Sequence, residues 1–375
     1  MMLKDQTADF LDYIREHATQ YFANIESAEL EVRFAGKQER RASVLYRFTV
    51  FDRLQSHQIL VKVPVYREFA GHEVAGVAYS KPKLFPRTEL KDKYKLEYTA
   101  LSSIYKYFSG LDDNQLKAVC VFDYLPQYQA ILVEASNDLN LRDLFLKTSR
   151  FHLGFSRREL GNAFQNAGRW LRYYHEMPKE DFVEIRYASR LETIKAIAGL
   201  TDFLALTVGD KAYFNKITST IEENAHKILP DLLSLGLRHG DFAMRNILVD
   251  SSNRVTVIDT LARWRTPIYE DLGYFLNGLK MSAPQVSSQG LAFSSELLNE
   301  FEHLFLTGYF EKTSIPYSAI RLYEILALLD KWSSVISNYL QGSYSSQVLG
   351  RMKIALINRY FKVSATALLR EFTEN

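Results

Sequence analysis

Three side chains whose oxygen atoms suit phosphate chemistry follow one another in the middle of the chain. Asp241 and Asn246 lie in the segment His-Gly-Asp-Phe-Ala-Met-Arg-Asn (239–246), and Asp259 follows after two apolar runs. Asn and Asp oxygens are hard ligands that suit Mg²⁺. A carboxylate can also orient a hydroxyl group for in-line attack on phosphorus. The pattern therefore predicts that Asp241 contacts an attacking hydroxyl, while Asn246 and Asp259 bind the metal ion of a nucleotide.

The residues between Asn246 and Asp259 predict a tight β-hairpin. Residues 246–250 and 254–258 are rich in Val and Ile, and Ser-Ser-Asn between them is typical of a turn. Such a hairpin would bring Asn246 and Asp259 to the same end, where both could bind one ion. Taken singly, each Asp or Asn is equally typical of a turn residue that bonds its own backbone. The functional hypothesis therefore depends on the whole combination.

These residues resemble the catalytic loop of the kinase-like superfamily. His-Gly-Asp at 239–241 and Ile-Asp-Thr at 258–260 are similar to the branch of aminoglycoside phosphotransferases, choline kinases and related small-molecule kinases. The segment 267–272 is similar to the Pro-x-x-x-Asp-Leu segment of that family. The resemblance implies that His239 and Asp271 support the catalytic loop, and that ATP or GTP is the phosphate donor together with Mg²⁺.

Two segments depart from the pattern of this family. Residues 243–245 are Ala-Met-Arg, where the small-molecule branch often has His-Pro-Gly. Two interpretations of Arg245 are open, a phosphate contact or an exposed side chain. The segment 35–43 is predicted as a loop but holds only Gly36, so it lacks the full glycine-rich pattern. Gly36, Ser43 and the basic residues between them remain candidates for contacts with phosphates.

An upstream sheet is predicted to carry a functional lysine. The runs 28–34, 44–51 and 58–66 alternate apolar and polar residues, which is typical of half-buried strands. Lys62 lies on the face opposite the apolar residues of the third run. A lysine inside an apolar run needs a partner, because an unpaired buried cation is costly.

The predicted partner of Lys62 is Glu97. Residues 90–108 have helical periodicity, and Glu97 lies on the apolar stripe of that helix. A Lys62–Glu97 pair would satisfy both charges and leave the ammonium group near the nucleotide phosphates. It would also resemble the strand lysine and helix glutamate of kinases. The alternative is an exposed Lys62 and an ordinary surface Glu97.

A buried strand at 129–135 ends in a polar segment and resembles the hinge between kinase lobes. The resemblance implies that backbone groups of Glu134, Ala135 and Ser136 bind the edge of the nucleotide base. The alternative is an edge strand followed by a loop.

Composition limits the other classes of function. The chain has 375 residues, is 47% hydrophobic and has a formal charge of +2, from 46 basic and 44 acidic residues. This balance argues against nucleic-acid binding. The single cysteine, Cys120, excludes an internal disulfide and fits a reducing compartment. Neither a signal-type apolar run nor an apolar run of about 20 residues is present. A cytoplasmic protein without a transmembrane segment is expected.

The expected fold is α+β and two-lobed, like that of protein kinases. Residues 1–135 are predicted to form a nucleotide-binding lobe with a small antiparallel sheet and one main helix, and residues 136–375 a mostly helical catalytic and substrate-binding lobe. Helices are predicted at 156–177, 182–200, 209–229, 291–310, 317–339 and 347–372. Protein kinases make the connection between the first of these and the catalytic loop short. The inserted helices therefore favour a small-molecule kinase.

The sequence as a whole predicts a phosphotransferase that moves the γ-phosphate of ATP or GTP to a hydroxyl group of a small molecule. A sugar, glycoside or amino alcohol is the expected acceptor. One alternative is a kinase-like nucleotide-binding or scaffold protein without turnover, and another is a protein kinase. The residues specify neither the acceptor nor the oligomeric state.

Overall fold

A computed structural model describes residues 5–22, 30–40, 43–52, 55–65, 81–85, 90–150, 157–178, 183–260, 262–341 and 348–374. The fold is mixed α and β, and its five-stranded sheet is antiparallel, as predicted. The chain divides into two compact units. Unit 1 comprises Met1–Ala70, Arg87–Asp138 and Thr256–Leu261, and unit 2 comprises Gly71–Pro86, Leu139–Val255 and Ala262–Asn375.

Unit 1 contains a five-stranded antiparallel sheet and two helices in its described part. The elements are α1 (Thr7–Tyr21), β1 (Glu31–Glu39), β2 (Ser43–Phe51), β3 (Ser56–Pro64), α2 (Leu90–Ser109), β4 (Leu116–Ala118), β5 (Val121–Leu125) and β6 (Ala130–Glu134). The strands of the sheet follow the spatial order β1-β2-β3-β6-β5. The prediction named one main helix, which is α2. Helix α1 is a second, and its apolar face packs on the sheet.

Alternation along β3 determines which side chains meet the core of unit 1. Ile59, Val61 and Val63 are buried in one cluster with residues of α1. Because successive side chains of a strand point to opposite faces, Lys62 faces the other side of the sheet. The position of Lys62 follows directly from the alternation in the sequence.

The prediction of a loop at 35–43 is wrong for most of that segment. Strand β1 continues to Glu39, and the N–H of Arg40 donates to the carbonyl of Ser43 at 2.8 Å, which closes a tight turn. Gly36 lies at a register shift in β1, where its φ is 153°. A lone glycine can be accommodated in a bulge without ending the strand. Residues 41–42 lie outside the described residues.

Unit 2 is mostly helical. Its helices are α3 (Leu141–Leu146), α4 (Arg157–Glu176), α5 (Arg190–Val208), α6 (Lys211–Ile228), α7 (Tyr269–Lys280), α8 (Ala283–Ser287), α9 (Ser295–Phe310), α10 (Tyr317–Gln341) and α11 (Val348–Glu374). Its strands are β7 (Leu139–Asn140), β8 (Glu184–Ile185), β9 (Leu235–Leu237), β10 (Ile247–Val249) and β12 (Trp264–Pro267). The chain passes from unit 2 to unit 1 within β11 (Val255–Val257).

The inserted helices are present, but the first begins later than predicted. Residues 184–185 form β8, which pairs in parallel with β12. Helix α5 begins after Ser189, whose hydroxyl accepts from the N–H of Glu192 while the Glu192 carboxylate accepts from the N–H of Ser189. This reciprocal cap satisfies the first donors of the helix. Helical periodicity alone did not reveal it.

Every helix in the described part of the chain is too short or too polar to cross a lipid bilayer.

Close approach of α4 and α9 depends on two glycines. A Cβ atom at Gly168 would overlap the backbone oxygen of Phe305 and lie 2.8 Å from the backbone nitrogen of Tyr309. A Cβ atom at Gly308 would overlap the backbone oxygen of Gln165. Backbone atoms cannot give way as a flexible side chain can, so the two helices must separate if either glycine gains a side chain.

We expect Gly168→Ala to lower the free energy of unfolding by about 1–3 kcal/mol or more, the usual cost of overpacking a dense interior. Gly278→Ala in α7 is the matched control, since nothing lies within 4 Å of its added Cβ. There the better helix propensity of alanine should stabilise by up to about 1 kcal/mol. Urea unfolding of both variants measures the difference. Equal stability of both variants would contradict the proposed contact.

Candidate active site

Asp271, at the start of α7, supports the loop that begins at His239. Its carboxylate accepts from the N–H of His239 at 2.7 Å and from the N–H of Gly240 at 3.0 Å. Gly240 has φ of 83°, and a Cβ there would overlap the guanidinium of Arg238. The loop therefore turns over one buried carboxylate, at a position that only glycine fills easily.

His175, near the end of α4, contacts the carboxylate of Asp271. Its Nε2 lies 3.3 Å from Asp271 Oδ2, and its Nδ1 lies 2.7 Å from the hydroxyl of Tyr309. Burial would raise the pKa of Asp271, but the hydrogen bond to His175 and nearby basic side chains, Arg238 among them, together outweigh burial and hold that pKa at about 2. No sequence motif pointed to His175 as part of this site, because its partners lie on helices distant along the chain.

Asn246 lies against Asp241 in the same loop. Residues Met244–Asn246 form one 3₁₀ turn, which carries Asn246 back toward Asp241. The Asn246 amide nitrogen donates to the backbone carbonyl and to Oδ2 of Asp241, both at 2.9 Å. Asn246 is 5% exposed, whereas the side chain of Asp241 is 36% exposed. The loop thus presents one accessible carboxylate in a fixed orientation.

The other oxygen of Asp241 contacts two further donors. Arg245 Nη2 forms a short ion pair with Asp241 Oδ1, and the hydroxyl of Tyr274 donates to the same oxygen at 2.9 Å. The Arg245 side chain is exposed, as one of the two sequence interpretations held, and it also contacts a carboxylate, which neither interpretation included. Sequence analysis missed Tyr274, although its place one helical turn after Asp271 puts both on one face of α7.

Lys62 in unit 1 contacts two carboxylates. Its Nζ lies 2.5 Å from Glu97 Oε1 and 2.9 Å from Asp259 Oδ1. The side chains of Lys62 and Glu97 are 19% and 4% exposed. Burial lowers the pKa of Lys62, but the two carboxylates outweigh burial and raise it above its usual value. Lys62 therefore stays charged at every physiological pH, held by residues from α2 and from the segment after β11.

Asp259 adopts a left-handed backbone conformation, with φ of 64°. Asp and Asn tolerate this region better than most residues, yet it still costs on the order of 1 kcal/mol. Such conformations persist where surrounding contacts stabilise them, and here the carboxylate contacts Lys62.

Comparisons with known proteins identify solved structures that have a similar fold. No family model and no curated protein matches the chain. A solved structure of a candidate aminoglycoside phosphotransferase from Ralstonia eutropha matches with a TM-score of 0.58 and 11% identity, over 97% of this chain and 98% of that chain. The chain has the fold of the small-molecule kinases. Choline kinase from Cryptosporidium parvum matches with a TM-score of 0.53 and 13% identity, over 98% and 96%.

A third small-molecule kinase with this fold is a spectinomycin phosphotransferase, solved with ADP and spectinomycin. It matches with a TM-score of 0.50 and 12% identity, over 99% of this chain and 100% of that chain. At these identities the likeness concerns the fold, and the chemistry must be argued from the residues.

The segment predicted as the hinge of this kinase fold lies in the interior of the sheet. Strand β6 lies between β3 and β5, so it is not an edge strand. The N–H of Glu134 donates to the carbonyl of Cys120, and the N–H of Ala135 donates to the carbonyl of Gln58, both at 2.9 Å. A nucleotide base could therefore use only the carbonyls of these residues or the N–H of Ser136, for which the described residues show no acceptor.

Each unit holds a side chain with an oxygen that suits a cation. In unit 2, the nitrogen of the Asn246 amide faces Asp241, so a cation would be bound by the amide oxygen. In unit 1, Asp259 has a carboxylate, a hard ligand of the kind that Mg²⁺ prefers. Within the described ranges, no group of three or more His, Cys, Asp or Glu side chains is arranged around a metal position.

Lys62→Met should lower the free energy of unfolding by about 3–5 kcal/mol, because it leaves Glu97 buried without its cation. Adding Glu97→Gln should recover part of this loss, since a neutral amide is buried at lower cost. Urea unfolding of wild type, both single variants and the double variant gives the coupling energy.

The control for this coupling is the exposed pair Arg33–Glu31, whose side chains are 62% and 55% exposed. Arg33→Met and Glu31→Gln should couple far less, because exposed ion pairs contribute little. If the Lys62–Glu97 coupling is no larger than that of the control, the pair is not energetically linked.

Asp271→Asn should lower the free energy of unfolding by about 1–3 kcal/mol, because an amide nitrogen cannot accept and one loop N–H loses its acceptor. Glu296→Gln, in the first turn of α9, is the control, because the Glu296 side chain is exposed. Comparable losses from both substitutions would show that the loop does not depend on Asp271.

Proposed function

We propose that the protein transfers the γ-phosphate of ATP or GTP to a hydroxyl group of a small molecule. The observation that carries the proposal is the loop at 239–246. It holds an accessible Asp241 carboxylate against a buried Asn246, over the buried carboxylate of Asp271. A carboxylate that only closed a turn would need neither the amide nor this support. This chain and known small-molecule phosphotransferases share a fold, which agrees with the proposal.

In this proposal Asp241 acts on the acceptor. Its carboxylate accepts a hydrogen bond from the acceptor hydroxyl and orients the oxygen for in-line attack. The oxygen forms a new bond to the γ-phosphorus as the bond to the nucleoside diphosphate breaks, and the hydroxyl proton passes to Asp241. Asp271 keeps the backbone of the loop in place and does not touch the reacting atoms.

Lys62 and Glu97 are proposed to serve the nucleotide. The charge of Lys62 persists at physiological pH, so its ammonium group can contact phosphate oxygens, while Glu97 fixes its position. Asn246 and Asp259 are proposed as ligands of Mg²⁺, which when bound offsets phosphate charge. The base is proposed to contact backbone groups at Glu134–Ser136. A nucleotide co-substrate agrees with the ADP complex of the spectinomycin phosphotransferase.

The proposed organisation assigns nucleotide binding to residues 1–135, and catalysis and acceptor binding to residues 136–375. Helices α5 and α6, inserted before the 239–246 loop, are proposed to take part in acceptor recognition. A sugar, glycoside or amino alcohol is the general class. The single cysteine is the basis for proposing a cytoplasmic location.

One observation favours the alternative, a nucleotide-binding or scaffold protein without turnover. Asp241 Oδ1 already accepts from Arg245 and Tyr274. A carboxylate that stays in such contacts would be a poor acceptor for a proton. Intact Asp241, Asn246 and Asp259 speak against this alternative, and measured turnover decides between the two.

The deciding experiment measures thermal stabilisation by ATP and GTP with and without Mg²⁺, followed by an acceptor screen for transfer. We expect a magnesium-dependent rise in Tm that Asp259→Ala loses. Asp241→Asn should keep the rise but reduce transfer by a factor of at least about 100, the usual share of a general base. Asp12→Asn, at an exposed site on α1, is the control and should behave as wild type.

Stabilisation by nucleotide without transfer to any hydroxyl acceptor would favour the binding protein without turnover. Full transfer activity in Asp241→Asn would reject the proposed mechanism.

A further inference from the structure

Helix α11 buries one of its faces in unit 2. Phe361 and Phe372 are fully buried in an apolar core that α11 shares with α5, α6 and α10. A polar contact fixes the helix on the same side, because the indole N–H of Trp332 on α10 donates to Asn358 Oδ1 at 2.7 Å. The rotation of α11 about its own axis is therefore set by the core, and its opposite face points outward.

The outward face of α11 carries exposed apolar side chains. Met352 is 60% exposed, Leu356 is 49% exposed and Val363 is 63% exposed. Their spacing of four and then seven residues places all three on one stripe of the helix. Single exposed apolar residues are ordinary on a protein surface, whereas several that line up on one stripe mark a surface that meets something other than water.

A second segment brings another apolar side chain near α11. Leu291, in the connection between α8 and α9, is exposed. Two residues earlier, the amide nitrogen of Gln289 donates to the carbonyl of Leu356 at 3.1 Å, which joins this connection to α11. The buried Gln285 holds the connection in place, since its side-chain oxygen accepts from the N–H of Phe293 at 2.8 Å.

The charged residues along α11 have one sign over most of its length. From 348 to 370 the chain contains no Asp or Glu and five basic residues, namely Arg351, Lys353, Arg359, Lys362 and Arg370. Lys362 forms an ion pair with Asp210 at 2.6 Å, and Arg370 lies 3.7 Å from Glu374. The other three basic side chains are exposed, and within the described residues they form no ion pair. Their charge is available to a partner.

Helix α6, which packs in the same core, shows a different outward face. Its exposed charges are of both signs, with Lys211, Lys216 and Lys227 beside Glu222 and Glu223. Mixed charges of this kind are typical of a helix face in water. Helix α11 instead combines exposed apolar side chains with unpaired cations, which is the pattern of a helix that lies at a lipid interface.

We propose that the outward face of α11 binds the surface of an anionic lipid bilayer. In this arrangement Met352, Leu356 and Val363 enter the boundary between headgroups and acyl chains. The unpaired cations Arg351, Lys353 and Arg359 contact the negatively charged lipid headgroups. Long basic side chains can reach these groups while their methylene stems cover apolar surface.

The combination of apolar and basic groups favours lipid over two other partners of a basic surface. Nucleic acid would satisfy the cations, but its charged backbone would leave the apolar stripe without an apolar contact. A second copy of the chain that met this face through a two-fold axis would cover the stripe but would place like charges against one another. An anionic bilayer satisfies both kinds of group. The proposal does not depend on the proposed phosphate transfer.

The test is flotation of the full chain with vesicles of phosphatidylcholine alone or of phosphatidylcholine and phosphatidylserine in equal amounts. We expect wild type to float with the mixed vesicles and to stay behind with phosphatidylcholine alone. Added sodium chloride should weaken the binding, because salt screens exposed charges.

The contribution of charge is measured with the combined variant Arg351→Gln, Lys353→Gln and Arg359→Gln. It should weaken binding to the mixed vesicles by about fivefold for each charge removed. A control variant with the same change in net charge replaces three exposed lysines of unit 1 with Gln and should bind nearly as wild type does. These lysines are Lys95, Lys106 and Lys117.

The contribution of the apolar stripe is measured with Leu356→Gln combined with Val363→Thr, which leaves the net charge unchanged. Binding should weaken by about tenfold or more, because less apolar surface enters the bilayer. Leu206→Gln, at a similarly exposed position on α5, is the control and should bind as wild type does. Because all the replaced side chains are exposed, every variant should keep the Tm of wild type, and a loss of binding is then not a loss of folding.

Several results would overturn the proposal. One is wild type that fails to bind the mixed vesicles, and another is binding that persists in both combined variants. Dimers of wild type that the Leu356→Gln and Val363→Thr variant cannot form, with no vesicle binding, would assign the face to a second copy of the chain. Binding of a short DNA duplex in place of vesicles would assign it to nucleic acid.

Discussion

The conformation of the 239–246 loop depends on the buried carboxylate of Asp271, which needs hydrogen-bond donors in place of water. A buried carboxylate stays ionised only when hydrogen-bond donors and positive charge replace water. Here the donors are the N–H groups of His239 and Gly240, together with His175. Helix α7 reaches this position because it packs tightly on α10, where a Cβ atom at Gly273 would lie 2.5 Å from the backbone of Tyr323. Loop geometry is thus a consequence of helix packing.

In unit 1 the buried charge is a cation, and carboxylates stabilise it in place of water. Lys62, on β3, can lie against α2 because Glu97 and Asp259 supply negative charge where water is largely excluded. Glu97 in turn is buried only because Lys62 lies opposite. Neither charge would be stable at its position without the other, so we expect a substitution of either residue to destabilise its partner. Apolar residues of similar volume often fill such a space at equal or lower cost, so stability alone does not account for the buried pair.

Much of the fold and of the candidate site could be predicted from the sequence, and the elements and residues that were missed have physical reasons. The sheet strands, α2 and the late helices follow local periodicity, and Lys62, Glu97 and Asp241 were found because local pattern and motif agree. His175 and Tyr274 were missed as site residues because their partners, Asp271 and Asp241, lie far from them along the chain. The short strands β8, β9 and β12 were missed because two to four residues carry too little periodicity to be recognised. The roles assigned to the site residues stay predictions.

Glu270 and Asp271, two consecutive acids at the start of α7, have different pKa values because their surroundings differ. Burial raises the pKa of Glu270 to about 7, and the nearby Arg238 offsets this only in part, whereas the donors around Asp271 hold its pKa at about 2. A raised carboxyl pKa contributes stability that is fully present below the unfolded pKa of about 4.5 and lost as pH rises through 7. A depressed one contributes stability that is present above about 3.8 and lost as pH falls toward 2. Support of the loop by Asp271 is therefore constant across the physiological range, and of these two acids Glu270 is the one whose pKa lies near neutrality.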